Sequence, residues 1–494
     1  MKIGFDNEKY IQRQTEQILK RVEQFNCKLY LEFGGKLFDD YHASRVLPGF
    51  NTNGKVLLLE KLKEKTEIIM CINADAIGNN KMRADFGITY DQDALRLIDN
   101  IRKMGLFISS IVISQYEEQS AAVMFKNRLE IRGEKVYVHK RIKGYPVDVD
   151  FVVSDRGCGS NPYIKTARPL VVVTAPGPGS GKMATCLSQL YHEHTMGISA
   201  GYAKFETFPI WNLPLNHPAN LAYEAATADL NDTIALDPYH LDAYGENAVN
   251  YNRDIEVFPL VKNILSKIME KDTVYQSPTD MGVNMAGFCI TDDEAVKESA
   301  TQEIIRRYFK TWCDYKEGCT GTGAVEKMEK IMMQLGIKGD HGLAVIPAIE
   351  KSEQNNCPAV ALILQDGRVI SGKSTSYLSA ASSTVLNCIK KLTGIPDDIH
   401  LISPAVLGPM MMLKEKILKE EKPSLSLEEV LNALSICAAT DPSAEKCLLK
   451  LHDLKGCDAH SSHILSKQDE NALKKLGVNI TCSPVFPSDD LYNP

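Results

Sequence analysis

Apolar positions in the first third of the chain switch between two periods. Ile11, Ile18, Val22 and Phe25 recur at helical spacing and predict an opening helix, because residues three, four and seven apart lie on one side of a 3.6-residue turn. The run KLYLEFGG at 28–35 is continuous and ends on two glycines, so it predicts a buried strand, and EIIMCIN at 67–73 predicts a second. Ala94, Leu95, Ile98 and Ile101 return to helical spacing, Gly105 stops that helix, and SSIVIS at 109–114 predicts a third strand. RPLVVVT at 168–174 is the most β-branched apolar run. It leads into APGPGSGK and then a helix with Met183, Leu187, Leu190, Tyr191 and His194 on one face. Strand, helix, strand in this order predicts an α/β fold with a mostly parallel sheet, VVVT at its centre and the strands' carboxyl ends bearing the site.

The pattern divides the remainder. From 254 to 338 it is mostly helical, with EIIRRYFKTW and AVEKMEKIMMQLG as clear cases, and predicts a helical subdomain or connection. CPAVALILQDGRVISGKST then predicts a hairpin turning at Asp366-Gly367. A helix carrying Ala380, Val385, Leu386 and Ile389, a strand at HLIS (400–403) and further helices follow. The expected domains are therefore an N-terminal α/β domain with the P-loop-like motif (1–253), the helical part (254–338) and a second α/β domain (339–494).

Composition narrows the classes. A chain of 494 residues, 44% hydrophobic and 24% charged, is long enough for several cores and too apolar for disorder. With 56 Lys and Arg against 63 Asp and Glu, the net charge of −7 disfavours sequence-independent binding to nucleic acid or to an anionic membrane. No apolar segment follows the first lysine, and nowhere do apolar residues run long enough to span a bilayer, so a cytoplasmic protein is expected. The 13 cysteines are odd in number and mostly inside apolar segments, as with Cys71 and Cys388, which predicts reduced core residues. Cys437, Cys447 and Cys457 fall at ten-residue intervals that suit no metal and read the same way.

The junction after VVVT carries the chemistry. A buried strand that enters a helix through a glycine-rich turn aims several amide N–H groups and the positive helix end at one spot, where a phosphate binds. Gly177, Gly179, Ser180 and Gly181 form the turn, and Lys182 supplies the point charge. The pattern GxxxxGK[ST] is not met: Pro176 stands at its first glycine and Met183 at the magnesium-binding hydroxyl. Thr185 is the nearest hydroxyl that could substitute.

Residues 168–215 resemble the dethiobiotin-synthetase-like branch of P-loop proteins. The loop length fits that branch, although Ala175 replaces its first glycine, and GYAKFETFP (201–209) stands where that branch has a strand entered through Gly-Tyr-Lys-Pro. The resemblance implies that Lys204 approaches the phosphates, that ATP or another nucleotide binds with Mg, and that a carboxylate or similar small substrate is activated. More broadly, VVVTAPGPGSGKMATCLSQLYHEH, AGYAKFETFPIWNLPLNHPANLAYEAATADL, SPTDMGVNMAG and GCDAHSSHILS resemble an uncharacterised bacterial family, a domain of unknown function frequent in Gram-positive species. That likeness spans nearly the whole chain and implies no reaction.

Other groups stay open beside this one. VISGKSTSYLS holds a second Gly-Lys-Ser-Thr, in which Lys373, Ser374 and Thr375 either bind an anionic group, alone or with the first loop, or cap a helix. In LYHEHT, His194 is expected in the core and His192 outside it. Asp458, His460 and His463 lie within six residues, with the Asp and the first His on one face of an extended segment. They form a metal site, an acid–base pair or a polar loop. In SPTDMGVNMAG, Asp280 and Asn284 flank Gly282 and suit a magnesium–phosphate or ribose contact or a capped helix start, while Glu206 and Asp229 are further acid candidates.

The expected function is binding of a nucleotide or another small phosphorylated ligand at 175–182, in an ATP-dependent or phospho-substrate enzyme with Lys182, Lys204 and Asp280 as catalytic candidates. Gly177, Gly179, Ser180, Gly181, Lys182, Thr185, Lys373, Ser374 and Thr375 are the expected ligand contacts, and a homo-oligomer is among the expected states. Two alternatives are a non-catalytic phospho-ligand sensor or assembly protein and a metal-dependent hydrolase using Asp458, His460 and His463.

Overall fold

The computed structural model describes residues 2–26, 28–83, 87–228, 232–421 and 423–489; Asp229 lies outside them. The chain forms two compact units, one of residues 2–224 and 232–300 and the other chiefly of 301–494.

The first unit is built on a seven-stranded sheet. Its strands are β1 (Leu29–Phe33), β2 (Thr66–Asn73), β3 (Phe107–Ser114), β4 (Val136–His139), β5 (Leu170–Thr174), β6 (Gly201–Phe205) and β7 (Gly282–Val283). Their order is β7-β6-β1-β5-β2-β3-β4, and every pairing is parallel. The VVVT strand is thus the middle one, and all five of its residues are buried. Burying each of its valines contributes roughly 1.5–3 kcal/mol, and an all-apolar strand fits where both faces are covered.

Connections from β2 onward step toward β4, whereas those from β5 onward step toward β7. The order therefore reverses between the adjacent strands β5 and β2, and ligands of open α/β sheets bind outside the carboxyl ends at such a reversal. The edge strand β7 is closed off by helix α1 (Asn7–Gln24): buried Gln14 donates from Nε2 to the Val283 carbonyl at 2.6 Å and accepts from the Met285 amide at 2.8 Å. A covered edge offers no free ladder to another chain.

Helix α2 (Lys182–Thr195), which leaves the glycine loop, corrects the expected stripe. Its buried residues are Thr185, Cys186, Leu187, Ser188, Gln189, Leu190 and Glu193, whereas Met183, Tyr191 and His194 are only half-buried. Segment 161–166 as well as the sheet packs on α2, so polar residues enter its buried side and find partners there, apart from Glu193 Oε2. Gln189 bonds the Ile164 backbone through both amide atoms, and Glu193 accepts from Tyr30 and Tyr163 and pairs with Lys28. His192 and His194 both bond backbone carbonyls, of Asn161 and Ala200.

The helices of 254–338 are shared between the units. Helix α3 (Asn252–Met269) belongs to the first, and the division falls inside helix α4 (Asp293–Lys316). In the second unit, β8 (Ala359–Ile363), β9 (Val369–Lys373), β10 (Asp458–Ser461) and β11 (Asn479–Cys482) form a sheet of order β9-β8-β10-β11. The hairpin β8–β9 is antiparallel and turns where expected, with Gly367 at φ +87°. HLIS is not a strand: Leu401 and Ile402 are buried in the core and Ser403 caps the helix Pro404–Met412. Cys437, Cys447 and Cys457 lie in the same core. Among the described residues no helix is long and apolar enough to cross a membrane.

Candidate functional site

The loop between β5 and α2 is held from below by its carbonyls. Asn73, ending β2, donates from Nδ2 to the Gly179 carbonyl at 3.0 Å, and Ser114, ending β3, donates from Oγ to that of Ser180 at 2.9 Å. The Ser180 hydroxyl folds back on the Gly177 carbonyl at 2.7 Å, and the Gly181 carbonyl accepts both the Thr185 amide and its hydroxyl at 3.0 Å. In a trans peptide C=O and N–H point in opposite directions, so pinning these carbonyls inward turns the next amides outward. Among the described residues, the N–H groups of Gly181 and Lys182 meet no backbone acceptor, whereas that of Ser180 turns back toward the Gly177 carbonyl.

Glycine is required at two of these positions for different reasons. Gly181 sits at φ +78°, and a Cβ there would stand 2.6 Å from the Ser114 Cβ. At Gly177 a Cβ would meet the Tyr90 hydroxyl at 2.4 Å. The loop is therefore packed against the sheet's carboxyl edge with no room for a side chain between them.

Beside the loop, the same edge gathers charge. Lys182 Nζ lies 3.9 Å from Glu32 on β1, and the Tyr202 hydroxyl donates to the other Glu32 oxygen at 2.7 Å. Glu32 stands opposite Lys204 of β6 in the register. Lys204 donates to Asp254 of α3 at 2.7 Å and lies 3.8 Å from Glu206. Burial alone would lower the Lys204 pKa, but Asp254, Glu206 and Glu32 outweigh it and hold the ammonium charged. Glu206 is the opposite case: burial, helped by Asp254 and Glu32 and opposed by Lys204, raises its carboxyl to about 7. Titratable groups displaced this far occur in reactive sites and in structural ion-pair networks alike.

The structure thus brings Gly177, Gly179, Ser180, Gly181, Lys182 and Lys204 to one edge and leaves other candidates elsewhere. The hydroxyl of Thr185 is fully buried between the Gly181 carbonyl and Cys71 Sγ at 3.5 Å. Met183 stands in the usual magnesium-binding hydroxyl position, and the loop's own Ser180 hydroxyl is turned onto the Gly177 carbonyl. Asp280 is committed to Arg21, to the Tyr244 hydroxyl at 2.9 Å and to the Gln276 amide at 3.2 Å, and the carboxylates beside Lys204 are Glu206 and Asp254 instead. Asn284 bonds the Pro209 carbonyl and the Ala286 amide.

In the second unit Lys373 ends an edge strand and bonds Asn355 at 2.6 Å, and the Thr375 hydroxyl closes a turn by accepting the Leu378 amide at 3.0 Å. The cap of the following helix α5 (Ala380–Thr393) is Ser379, not Ser374 or Thr375. Gly372 is there because α5 lies on it, with a Cβ 2.4 Å from the Thr384 amide nitrogen. Packing thus accounts for Gly372 and a turn for Thr375.

The Asp458–His460–His463 constellation also resolves differently. Asp458 and His460 do share a face of β10, where Asp458 pairs with Arg306 at 2.8 Å and the His460 ring packs on Phe309 at 4.7 Å. Both His460 nitrogens are engaged by hydroxyls, of Thr481 at 2.8 Å and Ser483 at 3.0 Å, and His463 bonds Ser462. Among the described residues no three His, Cys, Asp or Glu side chains are placed to hold a metal ion. Of the three, His460 is buried and Asp458 and His463 are half-buried.

Fold and site together define a two-unit α/β protein whose larger unit carries a glycine–lysine loop on the central strand of a parallel sheet. Residues 3–336 match the domain of unknown function DUF1846, N-terminal, and residues 340–492 match the domain of unknown function DUF1846, C-terminal; the chain belongs to this family. It is 56% identical over 500 residues to a UPF0371 protein of Clostridium botulinum (strain Eklund 17B / Type B), covering 100% of this chain and 99% of the relative. A UPF0371 protein of Clostridium tetani is 55% identical over 500 residues, with 100% and 99% covered. One of Fusobacterium nucleatum is 54% identical over 504 residues with the same coverage.

Proposed function

We propose that the chain binds the phosphate groups of a nucleotide, or of another small phosphorylated molecule, at 177–182 and acts on them as an enzyme. The observation that carries this reading is the pair of outward amides at Gly181 and Lys182, beside the Lys182 ammonium and at the start of α2. Backbone N–H groups, a helix N-terminus and a lysine are complementary to a phosphate dianion. Lys204 adds a second held cation on the same edge. Charge neutralisation in this reading falls to the two lysines and the amides, since Met183 stands where a magnesium-binding hydroxyl would be.

Calorimetric titration with ATP, GTP and inorganic phosphate tests the reading. Lys182→Ala is expected to weaken binding more than tenfold, about 1.4 kcal/mol or more. Gly181→Val is expected to do the same by driving a side chain into Ser114. Equal affinity in both variants, or no binding by the unaltered protein, would sink the proposal, and binding without turnover would favour a sensor over an enzyme.

A further inference from the structure

Helix α6 (Pro404–Met412) runs on through one wider turn, Leu413–Ile417, in which the Leu418 amide donates five residues back to the Leu413 carbonyl at 2.8 Å. Its inward side belongs to the second unit. Met411 is buried in that core, Val406, Leu407 and Met410 pack on it, and Lys414 pairs with Glu420 and Glu429 at 3.0 Å. The outward side is apolar as well, whereas a helix that is apolar all round is normally buried all round. Ala405, Gly408, Pro409, Met412, Leu413 and Ile417 are exposed there, with Lys416 among them. Met412, Leu413, Ile417 and the following Leu418 are 45–65% exposed. The wider turn, a feature frequent at functional sites, brings Ile417 round beneath Met412. Among the described residues nothing requires a glycine at 408: it lies inside the helix with no left-handed φ, and a Cβ there would meet no atom within 4 Å. Glycine is nonetheless less stable than alanine in that position.

We propose that this side of α6 is a self-association surface, on which a second copy of the chain packs its own α6 antiparallel about a twofold axis near Met410. The order of sizes along the helix points to that partner and that direction. Small residues, Ala405, Gly408 and Pro409, occupy the first half of the outward side, and large ones, Met412, Leu413 and Ile417, the second. Reversal about 410 lays Met412 over the partner's Gly408, and the partner's Met412 over Gly408. Each large half thus meets a small one, and the bare backbone at 408 is the hole for that knob. A parallel pair would set large against large. A twofold contact needs a surface complementary to itself, and this one is so only when reversed.

Area and charge agree with a second copy. The four large side chains leave on the order of 400 Å² of apolar surface open, the size of patch that marks an interaction site. A standard interface takes about 800 Å² from each partner, so this patch supplies an apolar centre and the polar surface around it the rim. One twofold contact covers the patch on both copies. Asp397 and Asp398, exposed on the segment leading into α6, lie at the end to which the pairing brings the partner's Lys416. An anionic bilayer would instead meet those two aspartates and a net charge of −7.

Sedimentation of the full chain tests the pairing, and at micromolar concentration a dimer of twice 54.8 kDa is expected. Gly408→Leu should weaken dimerisation about tenfold or more by filling the central hole. The same substitution should raise the melting temperature at dilutions where both chains are monomeric, since leucine is the better helix former. That opposite sign separates a blocked surface from a damaged fold. Met412→Lys, at an exposed position, should also weaken the dimer. Adding Met412→Ala to Gly408→Leu should recover most of the loss, because the new leucine then enters the space left by the partner's methionine. A monomeric unaltered chain, a dimer that neither single substitution weakens, or a loss that the double variant does not restore would each overturn the assignment. So would a monomer that floats with phosphatidylserine vesicles and is released by Met412→Lys, which would give the surface to a membrane.

Discussion

Both ring nitrogens of His460 are held by hydroxyls, and burial keeps the ring neutral by lowering its pKa from 6.5 to about 4. An unfolded chain protonates this ring near 6.5 while the folded one does not, so between those values the unfolded state binds more protons. Stability from this residue is therefore present above about 6.5 and lost as pH falls toward about 4, with a slope of up to about 1.4 kcal/mol per pH unit. His460→Gln, which keeps hydrogen-bonding capacity without titrating, is expected to shallow the acid limb of a urea-stability profile. A remainder will persist because buried His139 is lowered to about 4 in the same way; an unchanged limb would show that His460 is not buried neutral. Residue type alone made His460 a metal candidate, and alone left Glu206 a mere acid candidate. What separates them is which neighbours each polar atom meets: hydroxyls of Thr481 and Ser483 for His460, and for Glu206 the nearby Lys204 and Asp254 from α3.

At the scale of elements, strands were legible where they are buried on both faces. Those predicted at 28–33, 67–72, 109–114 and 170–174 are formed within a residue or two of their expected ends, because a continuous β-branched run in a parallel sheet has no polar face to obscure it. Val136–His139 and Gly282–Val283 are short and at the sheet's edges, and gave no comparable signal. The α2 stripe was misread because a helix covered from two sides buries polar residues that a one-sided pattern assigns to solvent. Gly372 shows the same limit, since its meaning depends on α5 lying across β9. Gly372→Ala is expected to lower stability by roughly 1–3 kcal/mol through overpacking against the Thr384 amide. Lys373→Ala, which loses only an exposed bond to Asn355, should change it by under about 0.5 kcal/mol. Thermal denaturation of the two variants checks this, and the reverse order would contradict the packing account.

Over the whole molecule, the family match changes from N-terminal to C-terminal description between 336 and 340, whereas the compact units divide at 300. The second half of α4 explains the difference: Arg306 pairs with Asp458, Phe309 lies on His460, and Cys313 bonds the Cys482 carbonyl, so this helix completes the second unit's core. A fragment beginning at residue 301 is expected to melt at least about 6 °C above one beginning at 340, since removing the Phe309 side chain alone costs roughly 3–5 kcal/mol; equal melting temperatures would place the boundary at 340. Hydrophobic period by itself determined that this is an α/β protein with VVVT at the centre of a parallel sheet and a glycine–lysine loop at its carboxyl end, because strand burial and turn-forming glycines are local properties of the chain. Tertiary structure decided which way the loop's amides face, through Asn73 and Ser114 from two other strands, and which carboxylates meet the lysines. Glu32 faces Lys204 only because β1 and β6 pair in one register. That pairing joins residues far apart in the chain, and local pattern carries no information about it.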